Sequence, residues 1–400
     1  MTSESSISNV SAPDYELSPD QVEIRDQAEK FFMSELHPHQ QKMDDEEWWP
    51  EDTFPKLGEM GYLGLTVPEE YGGAGLDYLT TGVICEAMAS ANHAIAMSWA
   101  AHDNLCANNI YRNGNDDQRR KYLPKLCSGE FTGALGMTEP GAGSDALGSM
   151  RTTAKKDGND YVLNGSKMFI TNGPNADVLL IYAKTEPEKG VHGISAFIVE
   201  KDYPGFKVAQ KLDKMGYRGS PTGELVFDEC RVPAENLVGG ENKGNAVMMS
   251  GLDLERALIS PICNGIAARA LDLSVEYAKT REQFGKPIAS FQMIQSKLAT
   301  MYIQVESART FAYRVLSACN KLSHSEGGRG AIHKLTAAGV HYAADMSARV
   351  LDDAVQIHGG MGYMRESEVN RLYRAGKLME IGGGTQEVRK IIISGEMLKE

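Results

Sequence analysis

The periodicity of the apolar residues changes twice along this 400-residue chain, and that double change limits the fold more than any other feature. From about Pro19 to Gly129, apolar residues recur at three- and four-residue intervals, as in DQVEIRDQAEKFF, which is the spacing of one helix face. From Phe131 to about Pro233, short β-rich runs such as YVLNGSKMFI, ADVLLIYAK, GISAFIVE and GELVFDECRV are separated by Asn-Gly and Pro-Gly turn signals. From Asn245 the helical period returns in longer segments, near 245–280, 291–322, 328–356, 367–379 and 385–398. The expected fold is α+β: an N-terminal helical domain over 17–130, a middle antiparallel β domain over 131–240, and a C-terminal helical bundle over 241–400. Residues 1–16 read as a flexible leader, and PEEYGGAGLDYLT at 68–80 as a loop, because Pro and Gly break the helical period there. The segment FQMIQSKLATMYIQVESARTFAYRVLSACNKL carries apolar residues on more than one face, which predicts contacts both within its bundle and with another subunit.

A formal net charge of −13 argues against nucleic acid or an anionic membrane as a partner, since neither attracts an acidic surface. The opening residues lack the basic and apolar regions of a secretory signal, and no apolar run approaches the roughly 20 residues of a spanning helix. A soluble, cytoplasmic protein is expected. The six cysteines, at 85, 106, 127, 230, 263 and 319, are scattered without a C-x-x-C pair, and the nine histidines are equally dispersed, so no metal site is expected.

Two glycine-rich stretches imitate dinucleotide loops: GMTEPGAGSDALG at 136–148 and Gly359-Gly360-Met361-Gly362. Neither has the strand before and helix after that a Rossmann loop needs. What they offer is closely spaced backbone N–H groups and small side chains that let the chain approach phosphates or a flat ring.

Five ordered motifs, GMTEPGAGSD (136–145), KMFITNG (167–173), KMGYRGSPTGELVF (214–227), REQFGKPI (281–288) and QIHGGMGY (356–363), resemble those of the acyl-CoA dehydrogenases. The resemblance runs from about Leu17 to Lys399. Within that family AHDNLCANNIYRNG (101–114), KLDKMGYRGSPTGEL (211–225), SGLDLER (250–256) and EIGGGTQEVR (380–389) are most similar to the isovaleryl-CoA dehydrogenases. The resemblance implies a C-terminal four-helix bundle, a homotetramer, FAD, and an acyl-CoA substrate with an electron-transferring flavoprotein as acceptor. The ring-binding segments offer no His or Cys placed for attachment, so the FAD is expected to be non-covalent. Carried over by position, Met137, Thr138, Gly143, Ser144, Phe169, Ile170 and Thr171 line the flavin ring, with Thr138 and Thr171 as donors to its polar edge. Arg281, Phe284, Gln292, Gln356, Gly359, Gly360, Thr385, Gln386 and Glu387 match positions that hold the pyrophosphate and adenine, partly across a subunit interface. Ser144, Val191, His192, Ala246, Asp253, Leu254, Arg256 and Gly384 match substrate contacts.

Three departures bear on the chemistry. Arg374-Ala375-Gly376-Lys377 lacks the aspartate common in the family's Arg-Asp-Ala-Lys, and Ala246 is small where a tyrosine is expected, which enlarges the acyl end of the pocket. Gly383 stands where many members carry the catalytic glutamate. In isovaleryl-CoA dehydrogenases the base comes from a helix, at the position of Glu255, so the resemblance implies Glu255 as α-proton base and flavin N5 as hydride acceptor. The thioester oxygen would then be held by the Gly383 N–H. Helix geometry pairs Arg256 with Asp253 at i,i+3, and Gly251, one turn before Glu255, leaves space on the same face for a thioester. The reaction expected is trans-2-enoyl-CoA formation from a short or medium, branched acyl-CoA. The rivals on the same fold are an acyl-CoA oxidase, a non-oxidising CoA-thioester lyase and a non-catalytic CoA-binding protein.

Overall fold

Ser18 starts the first helix, α1 (Pro19–Glu35), through a capping box: its hydroxyl accepts from the Gln21 N–H while the Gln21 side chain accepts from the Ser18 N–H. The computed structural model describes residues 16–322 and 327–399, so the leader expected over 1–16 lies outside the described residues except for Glu16. Asp77 caps the second long helix, α2 (Tyr78–Ala91), by accepting from the Thr80 N–H. That cap starts the helix inside the stretch read as a loop; only residues up to Asp77 are non-helical or 3₁₀. Asn115 and Gln118 form a second capping box at the head of α3 (Asp116–Cys127).

The chain then builds one sheet from β1 (Gly133–Gly136), β2 (Thr153–Asp157), β3 (Asp160–Thr171), β4 (Val178–Lys184), β5 (Ile194–Glu200), β6 (Phe206–Lys211), β7 (Thr222–Pro233) and β8 (Leu237–Val238). Their order is β6-β7-β3-β2-β4-β5-β8, with β1 alongside β4. Most pairings are antiparallel, as the hairpin signals predict. The exceptions are β1 with β4 and the single contact of β2 with β4, both parallel. The β2–β3 hairpin supplies the crossover that a parallel β1–β4 pair requires. Strands β4 and β5 are buried at nearly every position, which explains their continuous apolar sequences.

The third region holds α4 (Gly244–Thr280), α5 (Gln292–Cys319), α6 (Gly330–His358), α7 (Glu368–Met379) and α8 (Gln386–Met397), close to the boundaries expected from the periodicity. Helices α4, α5 and α6 pack against one another, and α7 and α8 lie on α6. Helix α4 also packs along α2, so one core of Ile84, Met88, Ile259, Ile262, Ile266 and Val340 joins the first and third regions. By length and composition α4 is apolar enough to cross a membrane, contrary to the reading of the sequence. Its apolar residues are accounted for by burial between α2 and the bundle helices, where 61% of its most apolar window is buried. On α5, Met293, Tyr302 and Ile303 remain exposed at 81%, 59% and 65%, the outward apolar face that its sequence predicts.

Candidate active site

Strand β3 brings the first group of expected residues together. Its register against β7 slips between Lys167 and Ile170, and within this bulge Phe169 takes a left-handed φ of 62°. A bulky side chain rarely adopts that conformation, and the strain, of order 1–3 kcal/mol, is stored where the ring is aimed outward. Phe169 is 66% exposed although it lies in an apolar strand, so it is no core residue. The neighbouring Thr138 accepts at its carbonyl from the Met168 N–H at 2.8 Å, which fixes the end of β1 beside the bulge. Thr138, Thr171 and Met137 are half-buried, Ile170 is buried, and Gly143 and Ser144 are exposed in the loop beyond. An open aromatic face with two hydroxyls next to it fits a flat heteroaromatic ring with a polar edge.

Under this surface lies an ion pair that the sequence did not signal. Lys167 Nζ sits 2.8 Å from Glu139 Oε1, with the side chains 0% and 5% exposed. Lys167 also donates to the Met137 carbonyl at 3.2 Å, and Glu139 accepts from the N–H groups of Arg151 and Thr152 at 2.7 and 3.0 Å. Burial pushes the Lys167 ammonium down to about 8 against the pull of Glu139. For Glu139, burial works the other way but Lys167 and the hydrogen bonds prevail, leaving its carboxyl below the ordinary value.

The second group centres on α4. Glu255 is half-buried and faces the turn at Gly382–Gly384: a β-carbon added to Gly383 would lie 3.6 Å from Glu255 Oε1. Gly383 and Gly384 have φ of 67° and 95°, so glycine is required for the turn to pass this close. Burial raises the Glu255 carboxyl above the ordinary value, opposed by the charges of Arg256 and Arg389. The turn itself is held by Arg389, another residue that sequence reading missed. Arg389 is 0% exposed and donates to the Met379 carbonyl and Gln386 Oε1, both at 2.9 Å, and to the Gly382 carbonyl at 2.6 Å.

Several expected contacts stand differently. Arg256 does pair with Asp253, at 3.4 Å, but Asp253 is 0% exposed and also meets His333 Nδ1 at 2.7 Å, Thr336 Oγ1 at 3.2 Å and the Gly328 N–H. Its carboxylate therefore orients Arg256 instead of facing a ligand. Leu254 is fully buried against Leu79 and Val83, a packing role. The space left by Gly251 is filled by Asn109, whose amide would stand 2.4 Å from an added β-carbon, so it admits a protein side chain and not a thioester. Gln386 is engaged by His341 Nδ1 at 2.7 Å and by Arg389, and Thr385 caps α8 by accepting from the Val388 N–H at 3.3 Å, leaving Glu387 as the exposed member of that trio. Ala246 is exposed on the first turn of α4, and the segment holding half-buried Val191 and exposed His192 packs against that helix.

The remaining expected residues gather elsewhere. Arg281 follows the C-terminal end of α4, Phe284 tips the hairpin of Glu282–Gln283 with Lys286–Pro287 at 92% exposure, and Phe291, next to Gln292, meets it edge-on at 5.9 Å. Tyr277 stacks on His358 at 4.3 Å, which brings Gln356, Gly359 and Gly360 to the same end. From Glu255 to Arg281 the helix advances about 39 Å at 1.5 Å per residue. The two groups of expected residues therefore lie far apart along α4. Among the described residues, no group of His, Cys, Asp and Glu is placed to hold a metal ion.

Family models match nearly the whole chain: the N-terminal domain of acyl-CoA dehydrogenase over residues 18–130, its middle domain over 134–230 and its C-terminal domain over 242–398. The chain belongs to the acyl-CoA dehydrogenase family. It is 45% identical over 383 residues to the mitochondrial isovaleryl-CoA dehydrogenase of Oryza sativa subsp. japonica, covering 95% of this chain and 91% of that one. The butyryl-CoA dehydrogenase structure from Megasphaera elsdenii superposes with a TM-score of 0.90 at 38% identity, over 96% of this chain and 99% of the other. A chain solved in work on the electron transferring flavoprotein of Acidaminococcus fermentans gives 0.92 at 39% identity, over 97% and 100%. An acyl-CoA dehydrogenase is an oxidoreductase acting on CH–CH donors, and the family relationship implies a flavin.

Proposed function

We propose that this acyl-CoA dehydrogenase oxidises a short or medium, branched acyl-CoA to its trans-2-enoyl-CoA with FAD, using Glu255 as the α-proton base. The observation that carries this reading is the approach of the Glu255 carboxylate to the Gly383 turn. No other carboxylate stands in that turn, since the sequence there is Ile381-Gly382-Gly383-Gly384-Thr385. A thioester seated alongside both would present its α-proton to Glu255 and its oxygen to the Gly383 N–H, which stabilises the developing enolate charge. Burial strengthens Glu255 as a base by raising its proton affinity. FAD, when bound, supplies the hydride acceptor. Phe169, Thr138 and Thr171 would hold its ring, and Arg281, Phe284, Gln292, Gln356, Gly359 and Gly360 of a second copy its phosphates and adenine. The exposed Ala246 and the Val191–His192 segment leave room at the acyl end for a branch.

Anaerobic mixing with a panel of acyl-CoAs tests cofactor, chemistry and substrate together: branched short-chain thioesters should bleach the flavin fastest. Glu255 acts only when ionised, so bleaching should slow as pH falls through a value above 4.5, its ordinary pKa. An acid limb at or below 4.5 would contradict the assignment. Transfer of electrons to an electron-transferring flavoprotein should outpace reaction with oxygen, and rapid peroxide formation would favour the oxidase instead.

The assembly we propose is a homotetramer. Its support is the outward apolar set at the far end of α4 and on α5, led by Phe284 at 92% and Met293 at 81% exposure. Phe284→Asp should lower both the assembled mass by light scattering and the FAD content, and a variant unchanged in both would count against a shared site.

A further inference from the structure

We propose that Arg389 is a positioning residue that locks the Met379–Gly384 segment against Glu255, so that the carboxylate and the Gly383 N–H act on one and the same thioester. The proposal rests on the acyl-CoA reading above. Arg389 reaches from α8 with no exposed surface and clamps two carbonyls of this segment, Met379 and Gly382, with the planar fork of one guanidinium. Its third partner, Gln386 Oε1, is tied in turn to His341 Nδ1, while the Gln386 amide donates to the His341 carbonyl at 3.1 Å. The clamp is therefore anchored to α6. Gly382 and Gly384 flank Gly383 and two of the three have left-handed φ, a flexible run that would sample other conformations if unheld.

The same guanidinium acts through its charge. The ionisable groups that face Glu255 are Arg256 from its own helix, Arg389 from α8 and Tyr182 from β4. Tyr182 is buried and uncharged, so the two arginines alone oppose the desolvation of the carboxylate. Arg256 is already shared with Asp253 and His333. Arg389 meets carbonyls and an amide oxygen but no carboxylate at hydrogen-bond distance, and its charge favours the ionised Glu255 next after that of Arg256.

The test uses the full FAD-loaded chain with Arg389→Lys, which keeps charge but loses the fork, and Arg389→Gln, which loses both. Hydrogen exchange of the peptide spanning 379–386 should rise about 10-fold or more in both, a readout independent of turnover. The limiting rate of anaerobic flavin reduction should drop about 10- to 100-fold, at or below the lower end of the roughly 100- to 1,000-fold cost of losing an oxyanion donor outright, with little change in the half-saturating acyl-CoA. The acid limb of the rate should move upward in Arg389→Gln and far less in Arg389→Lys. Wild-type exchange together with a wild-type limiting rate overturns the proposal, and so does a change confined to half-saturation. If Arg389→Gln fails to fold, Arg389→Lys decides through exchange and rate. A wild type that no acyl-CoA bleaches instead sinks the dehydrogenase reading, and the role of Arg389 with it.

Discussion

Glu255→Gln is expected to keep its flavin and its affinity for acyl-CoA while flavin reduction slows by roughly 2–4 orders of magnitude, the usual worth of a positioned base. The substitution preserves volume and hydrogen-bonding outline, so Ile259, Gly383 and the surrounding core keep their contacts. What disappears is the carboxylate that stands beside Gly383. Removing the charge also removes the desolvation cost that raises the Glu255 carboxyl, so the variant should be no less stable than wild type. Stopped-flow absorbance under nitrogen measures the rate directly, and a variant that bleaches near the wild-type rate would falsify the assignment of Glu255.

Lys167→Met should cost about 3–5 kcal/mol of stability, the range seen when one partner of a buried ion pair is removed. The methionine fills nearly the same volume but leaves Glu139 in a site where its Oε1 had an ammonium at 2.8 Å. The backbone N–H groups of Arg151 and Thr152 remain, yet they do not neutralise a full charge. Because Lys167 also grips the Met137 carbonyl, the loop under Phe169 should loosen and FAD content fall along with the denaturation midpoint. Adding Glu139→Gln to the same chain should recover much of the loss, since no unpaired charge then stays buried. A single variant with an unchanged midpoint would show that the pair contributes nothing.

The three-region architecture was legible because burial imposes its period on the sequence: α4 was expected over 245–280 and runs Gly244–Thr280, bounded by Gly-rich and charged segments. Parallel pairing of β1 with β4 was not legible, because strand partnership across about 40 intervening residues leaves no local signature. The site divides the same way. Glu255, Gly383 and the flavin-lining expectation for Phe169 followed from family resemblance, whereas the bulge and left-handed φ that turn Phe169 outward left no mark in the sequence. Lys167 and Arg389 were invisible for a different reason: a charged residue is by default solvated, and only the contacts made by folding reveal that these two are not. Gly251 misled because the occupant of its space, Asn109, comes from the first region and no spacing rule links them.

Helix α4 carries Glu255 in its first half and delivers Arg281 beyond its last turn. Under the shared-site reading, the single polypeptide is then not the unit on which selection acts. Where sound copies are synthesised together with copies damaged at both positions, a working centre needs two sound contributions, so the proportion of intact centres follows the square of the sound-chain frequency and falls faster than gene dosage. The reverse also holds. A copy damaged at Glu255 and another damaged at Arg281, each inert alone, complement each other wherever their undamaged halves meet, and the allelic behaviour of this locus is written in the length of one helix.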